Sequence, residues 1–167
     1  MQQHGTNTKR TINVVNLDPA AEAFAYESIA DIRELIHVDD AMEDEEMHFG
    51  PNGALVFCME FLMDNLTWLE ERIGEFDDNY IIFDCPGQIE LYTHMNIMRR
   101  FVDVLQSWNF RVCAVFLLDS HFMIDSSSFI AGSMAALSAM ISLETPHVNV
   151  ISKVDLLNKS AKLQLER

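Results

Sequence analysis

Short apolar runs alternate with amphipathic segments along most of the 167-residue sequence. The apolar runs are continuous and rich in β-branched residues, which suits parallel strands that are buried on both faces. The segments between them carry apolar residues at helical spacing, with charged residues off that stripe. This alternation predicts an α/β fold with a doubly wound, mostly parallel sheet and right-handed crossovers. The predicted strands are 11–16, 80–83, 112–118 and 147–151, and the predicted helices are 53–76, 89–108 and 126–143.

Acidic side chains outnumber basic ones by 26 to 11, which gives a formal net charge of −15. A surface field of that sign repels phosphate backbones, so direct nucleic-acid binding is not expected. A chain of this length with 49% apolar residues can bury one sizeable core. A single domain is therefore predicted for 11–167, with 1–10 as the remnant of a helix or a disordered segment.

The cysteines and the apolar runs indicate the compartment. Cys58, Cys85 and Cys113 lie far apart and form no CxxC pair, which is typical of reduced intracellular thiols. The first ten residues are polar, and no apolar run was expected to reach the roughly 18 residues of a spanning helix. The prediction is a soluble chain of the cytoplasm or nucleus with no membrane partner.

The run Asp84-Cys85-Pro86-Gly87-Gln88 follows a predicted strand, and ligands in such folds bind beyond the carboxyl ends of the strands. An aspartate there can hold Mg²⁺ through water, and the missing Cβ of Gly87 lets its amide approach a terminal phosphate. Gln88 can orient an attacking water. An Asx turn that leads into a helix is an equally good interpretation of these residues alone.

Two other strand ends carry similar chemistry. Asp18 precedes Pro19 and by itself is a good turn former, but beside Asp84 it offers a second carboxylate to a metal or to water. After the last predicted strand, Lys153 and Asp155 stand in a pattern that resembles a guanine-reading motif. The carboxylate would accept from two donors on the guanine edge that adenine lacks, and the lysine stem would cover the base. An ordinary exposed loop is the alternative.

The run Gly50-Pro51-Asn52-Gly53 is, taken locally, a turn at the start of a helix. It also matches the insertion that names the GPN-loop GTPases. The chain resembles that family in the order and spacing of VVNLDPAAE at 14–22, ADIRELI at 30–36, FGPNG at 49–53, FDCPGQIELYTH at 83–94 and SKVDLL at 152–157.

The resemblance implies a fold of the P-loop NTPase type that binds GTP or GDP with Mg²⁺ and hydrolyses GTP as a dimer. It implies a partner of the GPN-loop GTPase 1 type or a second copy, and an indirect link to RNA polymerase II subunits in their assembly and nuclear import. Localisation would then be cytoplasmic with shuttling to the nucleus. The implied catalytic residues are Asp18, Asp84, Gln88 and Asn52, the implied nucleotide contacts are Gly87, Lys153, Asp155, Gly50 and Pro51, and the implied metal side is Asp84 and Asp18.

The 167 residues contain no GxxxxGK[ST] run, which in P-loop proteins supplies the amide nest, the lysine and the hydroxyl around the phosphates. The start of the chain resembles the end of the helix that normally follows this loop. A fold of the P-loop type that lacks its first strand and P-loop is therefore expected, in a truncated chain with impaired GTP binding and hydrolysis.

Two further interpretations stay open from the sequence. One is a non-catalytic dimerisation partner or remnant that presents the GPN loop without binding nucleotide. The other is a receiver-like signalling domain, because Asp18, Asp84, Ser120 and Lys153 would stand at successive strand ends.

Overall fold

The computed structural model describes residues 2–7, 10–43, 49–74 and 80–157. The chain divides into two compact units, Met1–Gly87 and Gln88–Arg167. The prediction of a single domain over 11–167 stays a prediction. Short helix α1 covers Gln2–Asn7 in the segment expected to be a remnant of a helix.

A three-stranded parallel sheet forms the centre of the first unit, with Ile12–Asn16 (β1) between Ser28–Asp31 (β2) and Tyr80–Asp84 (β3). Its register sets Asn16, at the end of β1, opposite both Asp31 and Asp84 at the ends of the flanking strands. Three polar side chains are thereby brought to one end of the sheet.

The helix predicted over 53–76 is two helices, and residues 75 and 76 lie outside the described residues. Asn65 divides them: its backbone N–H donates to the carbonyl of Leu62, and its side-chain amide donates to the carbonyl of Phe61. These bonds satisfy terminal carbonyls that a continuous helix would have used, so the chain turns at that point. The helices of this unit are α2 (Val38–Glu43), α3 (Pro51–Asp64) and α4 (Leu66–Ile73).

The second unit contains a two-stranded parallel sheet that pairs Asp119 with Ser152 at its carboxyl end. The helix predicted over 89–108 is likewise two helices. The helix predicted over 126–143 is confirmed, and the carboxylate of Asp125 caps it by accepting from the backbone N–H of Ser128. The elements are α5 (Glu90–Thr93), α6 (Ile97–Ser107), β4 (Ala114–Asp119), α7 (Ser126–Leu143) and β5 (His147–Ser152).

The apolar core of each unit follows the helical spacing in the sequence. In the first unit α3 buries Leu55, Cys58 and Leu62, and in the second α6 buries Ile97 and Phe101. The described strands are all parallel, and helices separate β2 from β3, β3 from β4 and β4 from β5, so the α/β prediction is confirmed.

Helix α7 differs from α3 and α6 because much of its apolar surface is exposed. Its 18 residues are long and apolar enough to cross a membrane by length and composition, which corrects the expectation that no run reaches this length. A single helix that passes this test is weak evidence for a membrane span. The α7 surface is the set of exposed apolar residues on this helix that includes Phe129, Ile130, Met134, Leu137 and Ile141.

Candidate functional site

Asp84 ends β3 with an exposed carboxylate, and the phenol of Tyr26 donates a 2.6 Å hydrogen bond to its Oδ2. The two residues are 58 positions apart, so the sheet creates this contact. Burial, followed by the hydrogen bond and the charge of Asp84, raises the pKa of Tyr26 well above its ordinary range. The phenol therefore stays protonated and keeps its donor at neutral pH.

The Tyr26 ring is one layer of a three-layer stack with Phe24 and Arg33. It stacks on Phe24 with ring centroids 4.3 Å apart and an interplanar angle of 6°. The guanidinium of Arg33 lies over the Phe24 ring, 4.8 Å from the ring centroid. An offset aromatic pair with a cation at its face adds favourable packing beyond the buried area.

A buried polar network anchors that stack to the ends of β1 and β2. Arg33 donates to both carboxylate oxygens of Asp31, and Asp31 Oδ1 also accepts from the fully buried amide of Asn16 at 2.9 Å. Burial acts to raise the pKa of Asp31, but the hydrogen bonds from Arg33 and Asn16 outweigh it, and this pKa lies below its ordinary value. Asp31 is therefore ionised and fixed in position.

Asp18 lies at the same sheet end, held by Asn16. The backbone N–H of Asp18 donates to Asn16 Oδ1, and the Asn16 amide donates to the Asp18 carbonyl, each at 3.1 Å. The Asp18 carboxylate accepts from the backbone N–H of Ala20 in an Asx turn. The backbone N–H of Leu17 also donates to the carbonyl of Asp84 at 2.8 Å, so the structure brings the two strand ends together.

Gly87 is exposed, and a Cβ built on it would meet no heavy atom within 4 Å. Its backbone does not adopt the left-handed conformation that favours glycine. Within the described residues, folding therefore does not require glycine at this position. A ligand that approaches the backbone closely would require it.

Gln88 begins the second unit and is half-buried. Its Oε1 is buried and accepts no hydrogen bond within the described parts of the chain. Such an atom calls for a specific explanation, because leaving a buried acceptor unpaired is costly. Because this oxygen is closed to solvent, the side chain would have to rotate before it could orient an attacking water.

The GPN turn, Gly50-Pro51-Asn52, begins α3. Gly50 is the N-cap, Pro51 occupies the first helical turn, and Asn52 is exposed. No hydrogen bond or ion pair in the described ranges joins this turn to Asp18 or Asp84. Its surface position fits a contact with another molecule.

In the second unit, Lys153 follows β5 in a left-handed conformation with φ of 57°. Two contacts hold it: its ammonium lies 3.0 Å from Asp119 Oδ2, and its carbonyl accepts from the buried hydroxyl of Ser120 at 2.9 Å. Asp119 also accepts from the backbone N–H and from the ring Nδ1 of His121, both at 2.9 Å. These hydrogen bonds, with Lys153, lower the pKa of Asp119.

Asp155 lies in the short 3-10 turn Val154–Leu156 that follows Lys153, and its side chain is exposed. Ser152, before the lysine, donates to the carbonyl of Leu118 at 3.2 Å. The loop is therefore tied to the end of β4 at Ser152 and at Lys153, which gives Asp155 a defined position.

The donor set for a metal is small. No group of three or more His, Cys, Asp or Glu in the described ranges could hold an ion. Magnesium, however, is usually held by one or two carboxylates together with waters and the phosphates of a substrate. Asp84, with Asp18 at the same sheet end, fits an ion that arrives with a nucleotide.

A model of a protein family described as conserved hypothetical ATP binding protein matches residues 1–167. The chain is 58% identical over 167 residues to GPN-loop GTPase 3 of Danio rerio, and 56% identical over 155 residues to GPN-loop GTPase 3 of Saccharomyces cerevisiae. The chain belongs to the GPN-loop GTPase family. It spans 59% and 56% of the length of these two relatives.

A solved structure carries the same fold. The apo form of a GTPase from Pyrococcus abyssi matches with a TM-score of 0.81 over 98% of this chain and 64% of its own, at 23% identity. At that identity the likeness shows the fold alone. The predicted α/β architecture is thus confirmed for this member of the family, while the roles of its individual site residues stay predictions.

The sequence assigned no role to Tyr26, Asn16, Arg33 or Asp119. Asp119 was recognisable as a strand-end residue after VFLLD, and Asn16 as the last residue of a predicted strand. Tyr26 carried no local signal, because its partner Asp84 lies 58 positions away. Arg33 pairs with Asp31 only two positions away, but its contact with the Phe24 ring was not apparent from the sequence.

Proposed function

We propose that this chain supplies the guanine-reading and phosphate-facing residues of a site that binds and hydrolyses GTP. The observation that carries the proposal is the loop after β5, where Lys153 is held in a left-handed conformation by Asp119 and Ser120. A non-glycine residue in that conformation costs energy and marks functional loops. The contacts that offset this cost also fix Asp155.

Guanine is favoured over adenine because of the chemistry of Asp155. A carboxylate has acceptors only, and guanine presents two adjacent N–H donors on its edge where adenine does not. The description of the family model names ATP, whereas the relatives are named as GTPases. The carboxylate at this position supports the second choice.

Asp84 and Gly87 of the first unit are proposed to face the phosphates, and Gln88 of the second unit is proposed to orient the attacking water. Gly87 has open space at its α-carbon, so a phosphate oxygen can approach its amide. The Oε1 of Gln88 is buried and unpaired within the described residues, so a rotation of the side chain would let it accept from the attacking water. A magnesium ion bound with the nucleotide would neutralise charge on the phosphates. Asp84, on the side of Asp18, would accept hydrogen bonds from the waters of that ion.

Hydrolysis by the 167 residues alone is proposed to be impaired. No GxxxxGK[ST] run is present in the sequence, so the lysine and the amide nest that this loop supplies are not among its residues. Base recognition is then the property that the chain retains most fully.

The test is thermal unfolding of the purified chain with Mg²⁺ and GTP, GDP or ATP at millimolar concentration. A ligand that binds only the folded state stabilises it by RT ln(1 + [L]/Kd), so GTP and GDP should raise Tm and ATP should not. Asp155→Ala should abolish the shift. Asp64→Ala removes an exposed carboxylate at the end of α3 and serves as the matched control. Equal shifts of Tm with GTP and ATP, or no shift with any of the nucleotides, would contradict the proposal.

Dimerisation without nucleotide binding is the second candidate, and the α7 surface favours it. Contiguous exposed apolar residues on a soluble protein commonly mark an interface. Light scattering should then give a dimer, or a complex with a GPN-loop GTPase 1 type partner, that Ile141→Glu disrupts. Ser138→Glu, which adds the same charge at an exposed polar position of α7, is the control. If the chain stayed monomeric and bound no such partner, this candidate would be excluded.

A role in the assembly and nuclear import of RNA polymerase II, with shuttling between cytoplasm and nucleus, rests on the family resemblance. Depletion of the protein should leave polymerase subunits in the cytoplasm, which fluorescence imaging of a tagged subunit measures. Normal nuclear import after depletion would contradict this role.

A further inference from the structure

The hydrogen bond between Tyr26 and Asp84 carries an inference about the metal side of the site. We infer that Tyr26 is a positioning residue: its hydroxyl fixes the Asp84 carboxylate so that the other oxygen faces the waters of a magnesium ion bound with nucleotide. The inference rests on the proposed function, because it concerns the same nucleotide site.

The geometry assigns different tasks to the two oxygens of Asp84. Oδ2 accepts the phenol at 2.6 Å, whereas Oδ1 accepts no hydrogen bond within the described parts of the chain. The residue is exposed, so Oδ1 is open to water. A carboxylate held by one strong donor cannot rotate freely, and its second oxygen keeps one direction.

The phenol is itself held rigidly. Phe24 stacks under the Tyr26 ring, Arg33 covers Phe24, and Arg33 is paired with the largely buried Asp31. The Tyr26 ring is half-buried, and these contacts offset the conformational entropy that fixing its side chain costs. The segment between β1 and β2 therefore acts as a brace that delivers one hydroxyl to the end of β3.

A brace of this kind has a measurable consequence. Groups that hydrogen-bond to the ligands of a metal ion orient them, and their loss costs about 10-fold to 100-fold in metal affinity. Tyr26 is expected to affect the contribution of Mg²⁺ to nucleotide binding. It is not expected to affect recognition of the base.

The experiment measures the affinity of the whole chain for GTP, once with Mg²⁺ and once with EDTA, by fluorescence anisotropy of a labelled GTP. The ratio of the two affinities is the magnesium enhancement. In Tyr26→Phe this enhancement should fall about 10-fold, with an unchanged affinity in EDTA. A merely structural role for Tyr26 would lower both affinities together.

Tyr80→Phe is the matched control, because it removes a hydroxyl from the other end of β3. Tyr80 is 59% exposed, and its ring contact with Arg10 survives the change. Its magnesium enhancement should equal that of the wild type.

A double-mutant cycle with Asp84→Asn tests whether Tyr26 acts through Asp84. The double variant should lose no more magnesium enhancement than Asp84→Asn alone, since residues that act as a unit are not additive. Phe24→Leu keeps the hydroxyl but removes the stacked ring, and it should also lower the enhancement. This variant gives an answer if Tyr26→Phe does not fold.

Three results would overturn the inference. An unchanged enhancement in Tyr26→Phe and Phe24→Leu would show that the brace has no effect, and a larger one would show that the phenol competes with the cation. Full additivity in the double variant would show that Tyr26 acts elsewhere. Failure of the wild type to bind GTP in either condition would instead overturn the proposed function, and this inference with it.

Discussion

Asn16→Ala is expected to destabilise the first unit strongly, because one fully buried amide joins two strand ends. Asn16 is 0% exposed and takes part in three side-chain hydrogen bonds, to the Asp31 carboxylate and to the carbonyl and N–H of Asp18. A neutral hydrogen bond contributes about 1 kcal/mol, and one to a charged group about 1.5 to 3 kcal/mol. The loss in free energy of unfolding should be about 3.5 to 5 kcal/mol.

A loss of that size is a large part of the about 5 to 15 kcal/mol by which domains are stable. Urea-induced unfolding followed by circular dichroism measures it, with hydrogen exchange of the β1 amides to report on the first unit alone. Asn13→Ala is the control, because Asn13 lies on the same strand and no side-chain hydrogen bond is found for it in the described ranges. Its cost should stay below about 1 kcal/mol.

The reasoning would be refuted if Asn16→Ala cost no more than Asn13→Ala. It would also be refuted if the β1 amides kept their protection while the second unit lost stability. Either result would mean that the network of Asn16, Asp31 and Asp18 does not hold the sheet end.

Further predictions concern titration, backbone space and thiol reactivity. Because the folded-state pKa of Asp31 lies below its ordinary 3.8, its ion pair with Arg33 stabilises the fold above that pH, and the urea midpoint should fall as pH drops below it. In Asp31→Asn that acid dependence should be weaker, and an unchanged slope would contradict the assignment. Gly87→Ala should leave Tm within about 2 °C but abolish the shift with GTP, since only a ligand needs the missing Cβ. Burial raises the pKa of Cys58 to about 11, so a maleimide at pH 7 should label exposed Cys113 before Cys58. Mass spectrometry of the labelled peptides measures the order, and earlier labelling of Cys58 would contradict this prediction.

The strands that the sequence predicted are those with continuous β-branched runs. The strand β2 was missed because Ser28–Asp31 is only four residues long and gains its stability from pairing with β1. Helix breaks at Asn65 and between α5 and α6 were also missed, since the apolar spacing continues through them. Such breaks depend on local hydrogen bonds that compete with the helix ladder.

For the candidate site, the sequence located the residues at strand ends. It could not locate the side chains from other segments that contact those residues. Asp18, Asp84 and Lys153 were predictable, because the carboxyl ends of parallel strands are where ligands bind. The contact of Tyr26 with Asp84 spans 58 positions, and that of Lys153 with Asp119 spans two strands. No local pattern encodes these pairings, so only the fold reveals them.

The most direct test of guanine recognition is to change the base and the carboxylate together. Xanthine carries a carbonyl where guanine has its amino group, so Asp155→Asn can donate to it while Asp155 itself cannot. Titration calorimetry with GTP and XTP should show wild type preferring GTP and Asp155→Asn preferring XTP, each by more than about 10-fold, since one hydrogen bond to a charged group is at stake. If Asp155→Asn left the affinity for GTP unchanged and did not raise the affinity for XTP, the proposal that this chain reads guanine would be contradicted.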